Sequence, residues 1–109
     1  MSSTDRPNTT LLSVETRPHS EATLIPESIT KPQYTNEALD YGLEGLFKID
    51  VFVNANGEVE DVEIDDEIGF GMDSVLIEVA SKAQFIPRRD KNGKNISGWA
   101  ILVFDLVIE

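Results

Sequence analysis

The strand predicted at the end of the chain, over residues 99–108, is apolar on both of its faces. Successive side chains of a strand point to opposite faces, so even and odd positions separate the two. The even positions are all apolar: Ala100, Leu102, Phe104, Leu106 and Ile108. The odd positions are Trp99, Ile101, Val103, Asp105 and Val107, of which only Asp105 is polar. A two-layer domain with helices on one face of its sheet needs a single apolar face, so the second face requires a cover.

A β-hairpin is predicted upstream of this strand. Its first strand, residues 46–53, alternates apolar and polar side chains, and residues 58–65 return as the second strand with Val62 and Ile64 facing inward. The sequence Asn-Ala-Asn-Gly at residues 54–57 is typical of the turn between them.

Two registers of this hairpin keep the same residues on each face. A two-residue turn pairs Val51 with Val62, whereas a four-residue turn pairs Ile49 with Val62. We predict the longer turn, because it also places Phe52 opposite Val59 and Lys48 opposite Glu63.

Two helices are predicted beside these strands. Thr35 or Asn36 can cap a short helix through Tyr41, which the left-handed residue Gly42 would end. Asp73 can cap a second helix through Ala83. The apolar positions of the second helix have helical spacing: Met72, Val75, Leu76, Val79 and Ala83.

The chain of 109 residues is long enough for one domain and divides near residue 30. We interpret residues 1–30 as a flexible tail or linker, because Ser, Thr, Pro and Glu are frequent there, and residues 31–109 as the folded domain. Within the tail, residues 10–16 can form a strand if a sheet offers an edge, and Leu24-Ile25 can dock as an extended stretch.

The composition excludes several functions. Nine Lys and Arg against 20 Asp and Glu give a net charge of −11, which repels nucleic acid. The chain has no cysteine, its single His19 lies in the tail, and no glycine-rich loop could hold a phosphate. We therefore predict no catalytic residues, no enzymatic activity, no metal and no cofactor.

Several short motifs in a fixed order resemble the TonB C-terminal domain family, over about residues 31–108. They are Pro32-Gln33-Tyr34, Ala38, Glu44-Gly45, Asn56-Gly57-Glu58-Val59 with Val62 and Ile64, and Phe85-Ile86-Pro87 before the last strand. The resemblance implies an α+β fold in two layers, a three-stranded antiparallel sheet with two helices. It also implies that the closing strand lies beside the first strand.

The same resemblance implies a mechanical function. Such a periplasmic domain binds an extended N-terminal segment of an outer-membrane transporter by β-augmentation, while inner-membrane motor proteins supply proton-motive energy for uptake. It would be tethered to the inner membrane through an anchor and spacer that this sequence does not contain. The alternative is a TonB-like interaction or self-association module without a motor.

The open edge and the extra apolar face of the last strand predict partner-binding residues there: Trp99, Ile101, Val103, Asp105 and Val107. The resemblance implies two more, Gln33 and Tyr34, which match the family's partner-contacting entry segment. Three candidates for the cover of the apolar face stay open. They are a partner peptide, the chain's own tail through Leu11, Leu12 and Val14, and a second copy in a homodimer.

Basic residues cluster in the loop before the last strand. Arg88, Arg89, Lys91 and Lys94 form either a solvated loop or an electrostatic lip that meets an acidic peptide.

Overall fold

A computed structural model of the chain describes residues 10–11, 14–16 and 22–108. Its elements in chain order are β1 (Thr10–Leu11), β2 (Val14–Thr16), β3 (Thr23–Leu24), a single 3₁₀ turn (Pro26–Ser28), α1 (Asn36–Tyr41), β4 (Gly45–Val53), β5 (Val59–Ile64), α2 (Met72–Ser81), β6 (Phe85–Ile86), β7 (Arg88–Arg89), β8 (Asn95–Ile96) and β9 (Gly98–Ile108).

Three long antiparallel strands form the main sheet, in the order β9-β4-β5. The short strands β1 and β2 extend this sheet along the far side of β9. Both helices pack on one face, which gives the two-layer α+β architecture and places the closing strand beside the first long strand. The fold implied by the sequence resemblance is confirmed.

The core lies between the helices and the inner face of the sheet. Alternation along the strands supplies it, because every second side chain of β4 and β9 points toward the helices. Its most completely buried side chains include Ile49, Val51, Met72, Leu76, Leu102, Phe104 and Leu106. The even positions of β9 therefore face the core as the sequence predicts.

The short helix α1 has the two end signals that the sequence predicts. The Thr35 hydroxyl accepts a hydrogen bond from the Ala38 amide at 3.1 Å, so it satisfies one of the free amides at the helix N-terminus. Gly42 adopts the left-handed conformation with φ of 81°, and its amide donates to carbonyls of the last turn.

The start of α2 differs from the prediction that Asp73 is its cap. Gly71 occupies the N-cap position, and the helix ends at Ser81 instead of Ala83. The Asp73 carboxylate instead accepts hydrogen bonds from the Ile68 and Gly69 amides, at 2.9 and 2.7 Å. Asp73 therefore fixes the loop that precedes the helix.

The predicted four-residue hairpin turn is wrong. Val51 pairs with Val62 and Phe52 with Asp61, but Val53 pairs with Val59, so β5 contains a bulge. Val59 and Val62 both pack against the core although they are three residues apart. Strict alternation would put them on opposite faces, and the extra residue of the bulge lets both point inward.

The turn of this hairpin depends on Gly57. Its φ is 86°, and its amide donates to the Asn54 carbonyl at 2.9 Å. A Cβ atom at this position would lie 2.0 Å from the Phe85 carbonyl oxygen. Glycine is required here both for the backbone conformation and for the close approach of β6.

The segment before the predicted domain boundary contacts the folded part. β3 pairs with β6, the Ile25 amide donates to the Gln84 carbonyl at 2.9 Å, and the side chain of Ala22 is buried. This is the extended docking predicted for Leu24-Ile25. The interpretation of residues 1–30 as a tail or linker stays a prediction.

Tyr34 offers a test of how the segment before α1 is held. Its hydroxyl is buried and donates to the Leu43 carbonyl at 2.6 Å. Tyr34→Phe leaves that buried carbonyl without this donor, so we expect the free energy of unfolding to fall by about 1–3 kcal/mol in urea denaturation. Tyr41→Phe is the matched control, because Tyr41 is exposed. Equal stability of the two variants would contradict this account.

Candidate functional site

The outer edge of β9 is the candidate site, and the chain's own N-terminal part pairs with it. Thr10 and Leu11 lie opposite Ile108 and Val107, and residues 14–16 lie opposite residues 104–102. Both pairings are antiparallel. From the pair Leu11↔Val107 to the pair Val14↔Phe104, the position moves by three residues along the N-terminal segment and by three residues along β9. β1 and β2 therefore share one register along β9.

For residues 10–11 and 14–16, this pairing confirms the prediction of a strand that forms when a sheet offers an edge. The cover of the apolar face by Leu11, Leu12 and Val14 stays a prediction, because Leu12 and the side chains of Leu11 and Val14 lie outside the described part of the chain. Among the described residues, none pairs with Gly98–Ile101 on this side of β9, while β4 pairs with the same stretch on the other side.

The odd positions of β9 lie on the face opposite the helices and differ in exposure. Trp99 is 45% exposed, and its ring meets that of Phe52 edge to face with centroids 5.3 Å apart. Ile101, Asp105 and Val107 are half-buried. Val103 is buried, and it pairs with Lys48 of β4 on one side and with Glu15 of β2 on the other. The structure thus brings these five predicted residues together along one strand.

Gln33 and Tyr34 lie in the helical layer instead. The Tyr34 side chain is buried, and burial followed by the nearby charge of Glu44 raises the pKa of its hydroxyl. Gln33 is exposed and lines a cleft of about 220 Å³ beside α2, together with Val75 and Val79. Their role in partner binding stays a prediction, and Tyr34 in its present position can act only by holding this segment in place.

The basic lip is built on the β7–β8 hairpin, next to the start of β9. Arg88 is half-buried, and its side chain packs on the Gly98 backbone. A Cβ atom added to Gly98 would lie 2.8 Å from Arg88 Cδ. Arg89 Nε donates to Asn95 Oδ1 at 3.1 Å. The Asp90 carboxylate accepts from the amides of Asn92 and Lys94, each at 2.9 Å.

Three of the four basic side chains of the lip are exposed. Lys91 and Lys94 lie at the hairpin turn and Arg89 on β7, while Arg88 is held against β9. The lip therefore presents two exposed ammonium groups at a turn that Asp90 stabilises.

Sequence reasoning missed Asp50, a carboxylate on the same face of the sheet as Trp99. It lies opposite Ile101 of β9 and Glu63 of β5, and its Oδ1 atom is buried. Burial, a hydrogen bond with Asp65 and the charges of Asp65 and Glu63 raise its pKa above the ordinary value of 3.8. Its place on the polar face of a predicted strand carries no such signal, because only the fold brings Asp65 and Glu63 close to it.

The opposite edge of the sheet, along β5, is strongly acidic. Glu60, Asp61 and Glu63 are all exposed there. Charged side chains on an edge strand discourage pairing with another chain. Among the described residues there is no group of three or more His, Cys, Asp or Glu side chains that could hold a metal ion.

The three-stranded sheet, the two helices and the strand-paired edge define a class of small α+β domains that hold an extended segment at a sheet edge. Residues 30–106, more than half of the chain, match the family model described as Gram-negative bacterial TonB protein C-terminal. The chain therefore belongs to the TonB C-terminal family, which confirms the resemblance seen in the sequence.

Membership of this family carries a general function. The family consists of periplasmic, non-enzymatic interaction domains that act with outer-membrane transporters, and the chain is a TonB-like periplasmic domain in this general sense. No curated protein matches the chain. In the part that the structure describes, neither helix combines the length and apolarity needed to cross a bilayer.

The raised pKa of Asp50 predicts how stability changes with pH. Between 3.8 and its pKa in the folded state, the folded chain binds more protons than the unfolded chain, so this carboxyl lowers stability as pH rises through that window. We expect Asp50→Asn to raise the melting temperature at about pH 7 and to lose this advantage once the pH falls to about 3, below both pKa values.

The control for this prediction is Asp40→Asn, which removes the same charge from an exposed position on α1. Thermal denaturation followed by circular dichroism measures both variants across the pH range. A gain for Asp50→Asn that matches that of Asp40→Asn at every pH would show that net charge, and not the site of Asp50, is responsible.

Proposed function

We propose that the outer edge of β9 binds an extended N-terminal segment of an outer-membrane transporter by β-augmentation. In this mode main-chain hydrogen bonds supply affinity, and neighbouring side chains select among segments. The main support for this proposal is that the edge already pairs antiparallel with an extended segment, residues 10–11 and 14–16 of the chain itself. An edge that holds one extended segment has the geometry to hold another.

The surroundings of the edge support selection by side chains. Trp99 is partly exposed at one end, and Val107 is half-buried near the other. Large, partly exposed aromatic side chains at the rim of a binding edge provide apolar contact area. Trp99, Ile101, Val103, Asp105 and Val107 are therefore the residues of β9 that we assign to partner binding.

Energy transduction follows from this binding in the proposed function. Inner-membrane motor proteins, acting through a membrane anchor outside this sequence, would pull on the domain and use the proton-motive force for uptake. A strand held along the edge resists force through several main-chain hydrogen bonds loaded together. The match to the family supports this proposal, since its members act with transporters of the outer membrane.

A motor-free interaction or self-association module is the second candidate. The observation that favours it is the pairing of β1 and β2 with β9, because a strand that pairs within one chain can be exchanged between two copies. Sedimentation velocity separates the candidates: a concentration-dependent dimer of the full chain favours self-association, and a monomer favours transporter binding.

Binding of a transporter segment predicts a specific pattern of NMR shifts. The probes are synthetic peptides that tile the N-terminal segments of the outer-membrane transporters encoded in the same genome. We expect one of them, added in excess to the full chain, to shift the backbone signals of residues 98–108. Shifts confined to α2 would contradict binding at this edge.

N-methylation of the same peptide tests the main-chain mode directly. Only every second amide of a bound strand faces β9, so methyl groups in one alternating frame should weaken binding about tenfold or more, and those in the other frame little. The two frames are matched controls for each other, because they carry the same number of methyl groups. Equal weakening in both frames would argue against β-augmentation.

The basic lip should act on the rate of association with an acidic segment. We expect Lys91→Ala with Lys94→Ala to slow association about 2–10-fold at low salt, and the difference to vanish at about 0.5 M salt. The matched control is Lys31→Ala with Lys82→Ala, which removes two charges beside the α2 cleft. Stopped-flow fluorescence of Trp99 measures both; equal rates for the two pairs would remove the lip from the proposal.

A further inference from the structure

We propose that the segment containing β1 and β2 is a cis ligand of the β9 edge, which a partner must displace before it can bind. This inference rests on the proposed function and adds to it a regulation of the same site. It commits to one occupant of the edge in the free protein: the chain's own residues 10–11 and 14–16.

The register shows that the segment and a partner would compete for the same hydrogen-bonding groups. Residues 102–104 of β9 pair with β4 on one side and with β2 on the other. Residues 107–108 pair with β1, and the Ile108 amide donates to Glu44 Oε2. In an antiparallel sheet, the main-chain N–H and C=O groups of successive residues point alternately to the two neighbouring strands. While β1 and β2 are paired, the outer side of this stretch has no groups left for a second segment.

The pairing is short enough to be displaced. β1 has two residues and β2 has three, whereas nine consecutive residue pairs join β4 to β9. Short edge strands add little stability of their own. Displacement therefore leaves the main sheet and its core intact.

A starting point for displacement lies at the other end of the same edge. Gly98–Ile101 has no partner on its outer side among the described residues. It contains the partly exposed Trp99, and Gly98 contacts Arg88 of the β7–β8 hairpin, whose turn carries the exposed Lys91 and Lys94. A partner segment can pair here first and then replace β2 and β1 residue by residue.

The sequence of the cis segment indicates what a competing segment should contain. The described residues of the cis segment are Thr10, Leu11, Val14, Glu15 and Thr16, of which the Thr and Val residues favour extended structure. A competing segment should be similarly rich in Thr, Val and Leu, and it should extend over Gly98–Ile101 as well as the stretch that the cis segment occupies.

Two variants of the full chain shift the proposed equilibrium in opposite directions. The locked variant carries Thr10→Cys with Ile108→Cys, a cross-strand pair whose β9 member is not assigned to partner binding. Residues paired across antiparallel strands have Cα atoms about 4.5–5.5 Å apart, which suits a disulfide, and the chain has no other cysteine. The released variant carries Leu11→Pro with Glu15→Pro, because proline lacks the amide donor that strand pairing needs.

The controls match each variant. The locked variant is its own control after reduction of the disulfide. Ser2→Pro with Ser3→Pro adds the same number of prolines outside β1 and β2. A non-reducing gel shows whether the disulfide forms within one chain or between two.

Binding is measured by calorimetry with two probes: a synthetic peptide of residues 8–18 and the transporter-derived peptides. If β1 and β2 are paired 90–99% of the time, the released variant should bind both probes about 10–100-fold more tightly than the parent chain. The oxidised locked variant should bind neither, and reduction should restore the parent's affinity.

The two probes separate failure of this inference from failure of the proposed function. Tightening for the residue 8–18 peptide, with no transporter peptide bound by any variant, supports the cis ligand and refutes transporter binding. Equal affinity of parent, released and locked variants for a transporter peptide refutes the cis ligand and keeps transporter binding. A disulfide that forms only between two chains also refutes the cis ligand, since the strand then comes from a second copy.

Discussion

The antiparallel pairing of β4 with β9 fixes where every other part of the molecule lies. It runs over nine residue pairs, from Gly45↔Leu106 to Val53↔Gly98. This pairing turns Leu102 and Phe104 toward the helices and places Trp99 against Phe52 on the opposite face. Because β5 pairs with the far side of β4, the outer edge of β9 is left to the N-terminal segment. The candidate site is thus a consequence of strand order.

The charges separate the two edges of the sheet. The net charge of −11 argues at first against anionic partners of the whole chain. In the structure, the exposed carboxylates Glu60, Asp61 and Glu63 stand on the β5 edge, while Asp105 is the only charged residue of β9. The acidic edge resists pairing with another strand, and the β9 edge accepts it. Charge therefore determines which edge is available as well as which partners are repelled.

Local sequence predicted the elements better than the way they pair. Thr35 and Gly42 carry their end signals within a few residues, and the alternation of β9 marks its inner face, so both could be predicted. The hairpin register could not, because the bulge that brings Val59 and Val62 to one face depends on packing against α2 and β6. For the same reason Asp50 was missed: its raised pKa comes first from burial and then from Asp65 and Glu63, and only the fold supplies these surroundings.

In the free protein, the outer edge of β9 pairs with the chain's own N-terminal segment. Hydrogen exchange of the β9 amides in the full chain shows whether this pairing persists in solution. Alternate amides of β9 face β4 and the N-terminal segment, so we expect strong protection for the first set and weaker but clear protection for the second, within residues 102–108. Exchange of the second set at the rate of an unstructured peptide would contradict the claim.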